Sequence, residues 1–342
     1  MGNGYWKSNS KYNFYMLIDN HNRKINYLRL AVTDRCNLRC NYCMPSEGIN
    51  FAKKDKLLTI GELTKVGDIL IEMGIDKIRI TGGEPFVRKD LMVLLRNLKK
   101  NTGLKELSIT TNATLIGPHI DELKELGIKD VNVSMDAINK ATFERITRRD
   151  HYDIVHNNLI RLITEGFNVR INFIVLDNQN VQDIIPILDL QKHYPVSVRF
   201  LEEMPFNGGS KKFNEIKWDY KAILSHIRNT FPSIELIPSP KTSTSINYKI
   251  RGHKGNFGLI PSFSRTFCGS CNRLRITALG DVITCLYGPP KMNLREIIRG
   301  NSADDNIENA VRDVVGKRAI TGFEAQKEHK GVFDNSMTSI GG

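Results

Sequence analysis

The chain has 342 residues, of which 40% are hydrophobic and 25% charged, ordinary usage for a globular protein and enough for one large domain with a smaller appendage. Its formal net charge of +12 favours an anionic partner, but Lys and Arg are spread along the chain and no basic tract singles out nucleic acid or lipid. The longest apolar runs, such as Ile184 to Leu190, are too short to span a membrane, and the first twenty-odd residues lack the apolar core of a secretory signal; a cytoplasmic protein is expected.

Residues 1–26 read as an N-terminal extension without an assigned function. From Tyr27 onward, β-branched runs predict strands starting at Tyr27 (YLRLAVTD), Lys77 (KIRIT), Glu106 (ELSITT), Asp130 (DVNVSMD), Asn168 (NVRINFIVL) and Val196 (VSVRFLEEM). Helical patterns lie between them. One starts at Thr59 with a Thr-x-x-Glu capping box and ends on Gly74. Others cover 89–100, 118–126, 153–165 and 181–192, and a further one, 218–229, follows the last strand. Strand–helix alternation predicts βαβ units and a parallel sheet, here an α/β fold forming an incomplete (β/α)6 barrel over 27–235. From about Ile234 the pattern breaks into short strand-like runs and Gly/Pro/Ser-rich connections. That part, 236–342, is expected to be a β-containing region with a helix around Ala303 to Val315.

In such folds the functional groups sit at the C-terminal ends of strands, where the polar punctuation of this chain falls. Thr33-Asp34-Arg35-Cys36 follows strand one, Thr81-Gly82-Gly83-Glu84-Pro85 strand two, and Thr110-Thr111-Asn112 strand three. Ser134 and Asp136 follow strand four, and Glu202-Glu203-Met204 strand six. Independent strands that deliver polar groups to one rim point to an enzyme.

Six cysteines form two groups of three: Cys36, Cys40, Cys43 and Cys268, Cys271, Cys285. Close spacing in a cytosolic chain favours metal or redox chemistry over disulfides. The C-x3-C-x2-C spacing of the first group fits zinc pairs poorly. It suits three thiolates holding a [4Fe–4S] cube with the fourth iron open to a ligand. The second group is either a zinc site completed by a residue such as His253 or a second cluster with an open iron. Arg273 and Arg275 follow Cys271 at alternate positions and share one strand face; beside a cluster they would form an anion pocket.

The stretch LRLAVTDRCNLRCNYCMP resembles the cluster loop of the radical S-adenosylmethionine (SAM) superfamily, and Thr81-Gly82-Gly83-Glu84-Pro85 matches that superfamily's GGEP motif. In those enzymes the open iron chelates SAM, and reduction cleaves SAM to a 5′-deoxyadenosyl radical. From Tyr27 to Gly342 the chain is similar to the GTP 3′,8-cyclase (MoaA-type) family of molybdenum-cofactor biosynthesis. Both Cys triads, the R-x-R after Cys271 and the terminal Gly341-Gly342 carry that likeness.

The resemblance implies two [4Fe–4S] clusters and conversion of GTP to (8S)-3′,8-cyclo-7,8-dihydroguanosine 5′-triphosphate. It implies SAM contacts at Tyr42, Gly82, Gly83, Glu84, Ser134 and Met204, with Glu84 accepting from the SAM ammonium. GTP would be held by Arg29, Arg79, Thr110 and Arg273-Leu274-Arg275, with Lys77, Arg170 and Arg199 as helpers. Arg170 stands where many relatives carry Lys, a planar fork in place of a point charge. The Gly-Gly tail is expected to reach the active site. Expected partners are GTP, SAM, an electron donor and a downstream enzyme that takes the cyclised product, with a homodimer compatible and neither nucleic acid nor membrane involved. The competing readings are a radical SAM enzyme that modifies peptide or RNA, and an iron–sulfur redox sensor without catalysis.

Overall fold

The computed structural model describes residues 16–208, 215–300, 303–328 and 336–341. Six strands, β1 (Tyr27–Ala31), β2 (Lys77–Thr81), β3 (Glu106–Thr111), β4 (Asp130–Ser134), β5 (Asn168–Val175) and β6 (Ser197–Glu202), lie parallel in chain order. The connecting helices are α1 (Ile60–Glu72), α2 (Leu91–Lys100), α3 (Ile120–Glu125), α4 (Lys140–Thr147), α5 (Tyr152–Thr164) and α6 (Ile184–His193), with α7 (Tyr220–Thr230) after β6. Sequence periodicity misses α4. It has only eight residues and two large apolar positions, Phe143 and Ile146, and starts from the Asn139 cap, whose side chain accepts from Thr142 N at 2.8 Å.

Period-two alternation sorts the sheet into two faces. Leu28, Leu30, Ile78, Ile80, Val131 and Val133 point one way, into the hydrophobic core beneath the helices. The intervening positions, including Arg29, Arg79, Thr110, Asn132, Arg170 and Arg199, point the other way and line one cavity of about 720 Å³. Residues from six consecutive strands border the same cavity, so the sheet curls around it as an incomplete barrel. A parallel sheet normally buries apolar side chains on both faces. The polar inner face here marks a binding site.

The C-terminal strands extend this sheet at both edges instead of forming a separate layer. Strand β9 (Asn256–Ile260) pairs parallel with β6, and β8 (Ile246–Ile250) and β7 (Ile234–Ile237) continue outward antiparallel. At the other edge β10 (Arg273–Ile276) pairs parallel with β1, followed by β11 (Asp281–Ile283) and β12 (Met292–Asn293). The expected boundary at 235/236 therefore falls inside β7. Three helices complete the chain: α8 (Leu294–Arg299), α9 (Asp304–Gly316) and α10 (Gly322–Glu328). Of the expected N-terminal extension, residues 1–15 lie outside the described residues. Residues 17–25 form a tight turn closed by Ile25 N donating to Leu17 O at 2.8 Å and by an Ile18–Lys24 bridge. No helix among the described residues is long and apolar enough to cross a membrane.

The capping box at α1 forms: Glu62 N donates to Thr59 Oγ1 at 3.2 Å and Thr59 N to Glu62 Oε2 at 2.7 Å. Glu62 also pairs with Arg299 of α8 at 2.6 Å, and that hydrogen bond holds its carboxyl down at about 2. Because the folded value lies below the usual 4.5, this group's stabilisation is present above pH 4.5 and lost as pH falls towards 2. The Arg299 side chain is exposed, so solvent screens the pair. Glu62→Gln is expected to cost on the order of 1 kcal/mol at neutral pH. Urea unfolding midpoints of the two proteins should converge as pH is lowered through the carboxylate range.

Candidate active site

The first triad sits on the loop that leaves β1. A turn closed by Cys43 N donating to Cys40 O at 2.9 Å shapes it, and Arg39 N and Asn41 N tie the loop to the C-terminal end of α4 through Thr147 O and Ile146 O, each at 2.9 Å. The loop after β2 lies directly against it: Gly83 N donates to Thr33 O and Glu84 N to Arg35 O, both at 2.8 Å. A Cβ on Gly82 would stand 2.5 Å from Thr33 O, and one on Gly83 would stand 2.2 Å from Arg35 O. The two glycines are needed because backbone packs on backbone there.

Glu84 has a structural task in this fold. It is fully buried, does not line the cavity, and spends both oxygens inside the protein. Thr111 Oγ1 and Phe86 N donate to Oε1 at 2.8 and 3.1 Å, and Asn112 N to Oε2 at 2.6 Å. Burial pushes its carboxyl up to about 7 against the pull of these donors. Glu84 thus locks the β2 and β3 loops together beneath the first triad. Glu202 is the same kind of anchor at the end of β6. It accepts from Tyr220 N, Phe263 N, Ser264 N and Ser264 Oγ at 2.7–2.9 Å and so fixes the start of α7 and the segment leading to the second triad.

The residues that do face the cavity near the first triad include Tyr42, Gly82, Gly83, Ser134 and Met204. Sequence reading left three neighbours unassigned. Asn112 Nδ2 lies 3.7 Å from Cys36 Sγ, Ser336 Oγ lies 3.4 Å from Cys43 Sγ, and Asp136 takes the Tyr42 hydroxyl at 2.6 Å and Ile174 N at 2.7 Å. Asn112 and Asp136 had a readable signal, their places just past β3 and β4; Ser336 arrives through a 50-residue detour after Cys285 that no local pattern announces.

The second triad closes the opposite part of the same cavity. Cys268 and Cys271 flank a single helical turn, Cys285 follows β11, and all three line the cavity together with Cys36, Cys40 and Cys43. Its thiols have donors of their own, from Gly322 N to Cys268 Sγ at 3.3 Å and from Arg318 Nη2 to Cys271 Sγ at 2.9 Å. His253, the candidate zinc ligand, instead packs edge-on against Phe231 at 5.5 Å and does not line the cavity.

Between the triads stands a wall of cations. Arg29, Lys77, Arg79, Arg170, Arg199 and the pair Arg273 and Arg275 all line the cavity. Lys77 is neutralised by Glu106 at 2.7 Å and Arg170 by Asp130 at 2.6 Å. Arg29, Arg79 and Arg199 make no ion pair among the described residues, and Arg29 Nε, Arg199 Nε and Thr110 Oγ1 are buried without a hydrogen-bond partner. Burial, and then repulsion from Arg275, pushes Arg29 far below its usual value; burial and Arg170 bring Arg199 down to about 9, and burial and Arg273 bring Arg275 to about 10. Buried cations that repel one another, with an unpaired Nε on Arg29 and on Arg199, are poised for a polyanion. Leu274 departs from the expected set: alternation turns it into the hydrophobic core, 1% exposed.

The tail reaches this wall from the other side. Thr81 Oγ1 donates to Gly341 O at 2.9 Å and Arg275 Nη1 reaches the same oxygen at 3.5 Å. Gly342 lies outside the described residues.

The donor chemistry of both triads fits iron–sulfur clusters. Burial pushes the Cys36 thiol up to about 12 and raises Cys40, Cys43, Cys268 and Cys285. At Cys271 burial also acts upward, but the Arg318 and Arg273 guanidiniums carry the thiol below its ordinary value. Enclosed thiols become thiolates when metal charge stands among them. A soft, all-sulfur donor set of three on each side of a cavity is of the kind that could hold an iron–sulfur cluster.

A C-x3-C-x2-C loop past the first strand of a curled parallel sheet, backed by a glycine turn from the second strand, defines a radical SAM enzyme. Residues 30–190 match the Radical SAM superfamily and residues 196–323 match Molybdenum Cofactor Synthesis C. The mitochondrial GTP 3′,8-cyclase of Arabidopsis thaliana is 37% identical across 95% of this chain and 81% of that protein. The GTP 3′,8-cyclase of Clostridium botulinum is 38% identical across 84% and 89%. The chain belongs to the GTP 3′,8-cyclase family. Molybdenum cofactor biosynthesis protein 1 of Homo sapiens is 35% identical over 94% of this chain, which spans about half the length of that relative (49%). In fold the chain is similar to SuiB of Streptococcus suis, with a TM-score of 0.61 and 16% identity over 81% of this chain and 65% of SuiB.

Proposed function

We propose that this chain converts GTP to (8S)-3′,8-cyclo-7,8-dihydroguanosine 5′-triphosphate, with SAM held at the first triad and GTP between the two triads. The observation that carries this reading is the wall of guanidiniums, Arg29 and Arg199 each with a buried Nε that has no hydrogen-bond partner, in a cavity bordered by both sets of thiols. Cys36, Cys40 and Cys43 would hold the SAM-binding cluster; with an electron from an external donor, that cluster supplies the chemistry that turns SAM into a hydrogen-abstracting 5′-deoxyadenosyl radical. Cys268, Cys271 and Cys285 would hold a second cluster whose open iron faces the purine. Tyr42, Gly82, Gly83, Ser134 and Met204 surround the SAM position.

Arg29, Arg79, Thr110, Arg273 and Arg275 would take the triphosphate, whose negative charge offsets the repulsion among those cations. Lys77, Arg170 and Arg199 add to the positive field at the edge of that site. Arg170 already bonds Asp130 at 2.6 Å, so its fork is oriented before substrate arrives. Holding the ribose between the two triads sets its hydrogen within reach of the SAM position; closure of the ribose carbon onto the guanine then follows without either end leaving the enclosure, and a second electron from the external donor with a proton from solvent gives the 7,8-dihydro product. Enclosure also keeps solvent away from a radical reaction.

The test is anaerobic reconstitution with SAM, dithionite and GTP, with 5′-deoxyadenosine and cyclised purine measured together. GTP-dependent formation of both in equal amounts is expected. Release of 5′-deoxyadenosine that is indifferent to GTP would overturn the cyclase assignment while leaving SAM cleavage in place.

A further inference from the structure

The 17–25 turn near the N-terminus and the 318–322 segment before α10 are distant in sequence, yet they enclose the second triad together. Arg318 donates from Nη2 to Cys271 Sγ at 2.9 Å and from Nη1 to Cys271 O at 3.1 Å. Four residues on, Gly322 N donates to Cys268 Sγ at 3.3 Å. This short segment thus supplies hydrogen bonds to two of the three thiols.

The segment is itself held by the N-terminal turn. Arg23 donates to Ala319 O at 2.9 Å, Ile320 O at 2.8 Å and Cys268 O at 3.0 Å. Asp19 fixes Arg23 through Nε at 2.6 Å, takes the backbone N–H groups of His21 and Arg23 at 2.9 Å each, and stands 3.9 Å from Arg318 Nη1. His21 Nε2 meets Arg318 O at 2.9 Å. The Asp19 and Arg318 side chains are 0% and 4% exposed. Two enclosed guanidiniums share one carboxylate, which leaves one positive charge uncompensated and directed at the Cys271 sulfur. At the first triad the corresponding side-chain donors, Asn112 to Cys36 and Ser336 beside Cys43, are neutral.

We infer that Arg318, clasped by the Asp19–Arg23 turn, is a positioning residue for the second iron–sulfur cluster that holds its Cys271 ligand and sets the cluster's reduction potential. The inference rests on the reading of the second triad as a cluster. Hydrogen bonds to cluster sulfurs and nearby positive charge both favour the reduced, more negative state and so raise the potential. Of these contacts, Arg318 makes the one that is both charged and direct.

The test is a redox titration of the reconstituted full chain followed by electron paramagnetic resonance, with iron counted in the same samples. Cys271→Ala assigns the second signal by removing it. In Arg318→Gln the second signal should titrate at a more negative potential with the first unmoved, Arg318→Lys should restore most of the shift, and Asp19→Asn, which removes the compensating carboxylate, should shift the second signal to a less negative potential. About eight irons per chain in the parent is the mark of two four-iron clusters. A parent that binds only about four would sink the second-cluster reading. Equal midpoints in the parent and Arg318→Gln at full iron content would overturn the role of Arg318 alone. So would a loss of iron in Arg318→Gln that Lys does not restore.

Discussion

If the chain holds two four-iron clusters as proposed, Cys43→Ser should reduce 5′-deoxyadenosine formation to background and lower bound iron from about eight to about four atoms per chain. Cys43 is 8% exposed, its sulfur lies 3.4 Å from Ser336 Oγ, and burial raises its thiol. A serine there presents a harder oxygen that gives up its proton less readily, in surroundings that already disfavour the anion, so the third corner of the cube is not held. Cys271→Ser makes the contrast. It should also lose about four irons but keep SAM cleavage, now poorly coupled to product because the purine has lost its iron. Retention of SAM cleavage in Cys43→Ser would remove the first triad from the chemistry. Circular dichroism on both variants separates loss of the cluster from loss of the fold.

Most of the frame was legible because it depends on local periodicity. The six parallel strands begin at or within a residue of the positions that alternation and β-branching mark, and the capping box at Thr59 forms as written. The Cys triads were legible from their spacing, and part of the cation wall from period two, which puts Arg273 with Arg275 and Lys77 with Arg79 on one face; Arg29 and Arg199 were supplied by the family resemblance. What sequence could not supply is depth. Glu84 and Glu202 occupy strand ends where catalytic groups usually stand, but their carboxylates turn inward to collect backbone N–H groups, and nothing in GGEP or LEEM tells an inward carboxylate from an outward one. Leu274 was carried into the site by its neighbours, although alternation alone places it in the core. The C-terminal strands were read as an appendage because pairing of β10 with β1 and of β9 with β6 joins residues too far apart for any local pattern to show. The same distance hid the contact of Asp19 and Arg23 with the second triad.

Arg275→Ala should raise the KM for GTP far more than it changes SAM cleavage measured without GTP. Arg275 is 8% exposed and pushed down to about 10 by burial and by Arg273, so it faces substrate from a dry site where a charge-assisted bond to phosphate is strong. Truncating one partner of such a contact costs about 2–4 kcal/mol, or roughly 30- to 700-fold in apparent affinity. Arg275→Lys keeps the charge but loses the planar fork and should fall between the two. Stability should move the other way from function. The free enzyme crowds Arg275 against Arg29 and Arg273, whose repulsion adds to burial in lowering the values of the first two, and removing one cation relieves that strain at the expense of the contacts Arg275 makes, among them the long one to Gly341 O. Thermal unfolding of Arg275→Ala without GTP should therefore lie at or above the parent's, and the stabilisation that GTP gives the parent should shrink. A variant that unfolds well below the parent yet keeps its KM would assign Arg275 to the architecture and take it out of the triphosphate site.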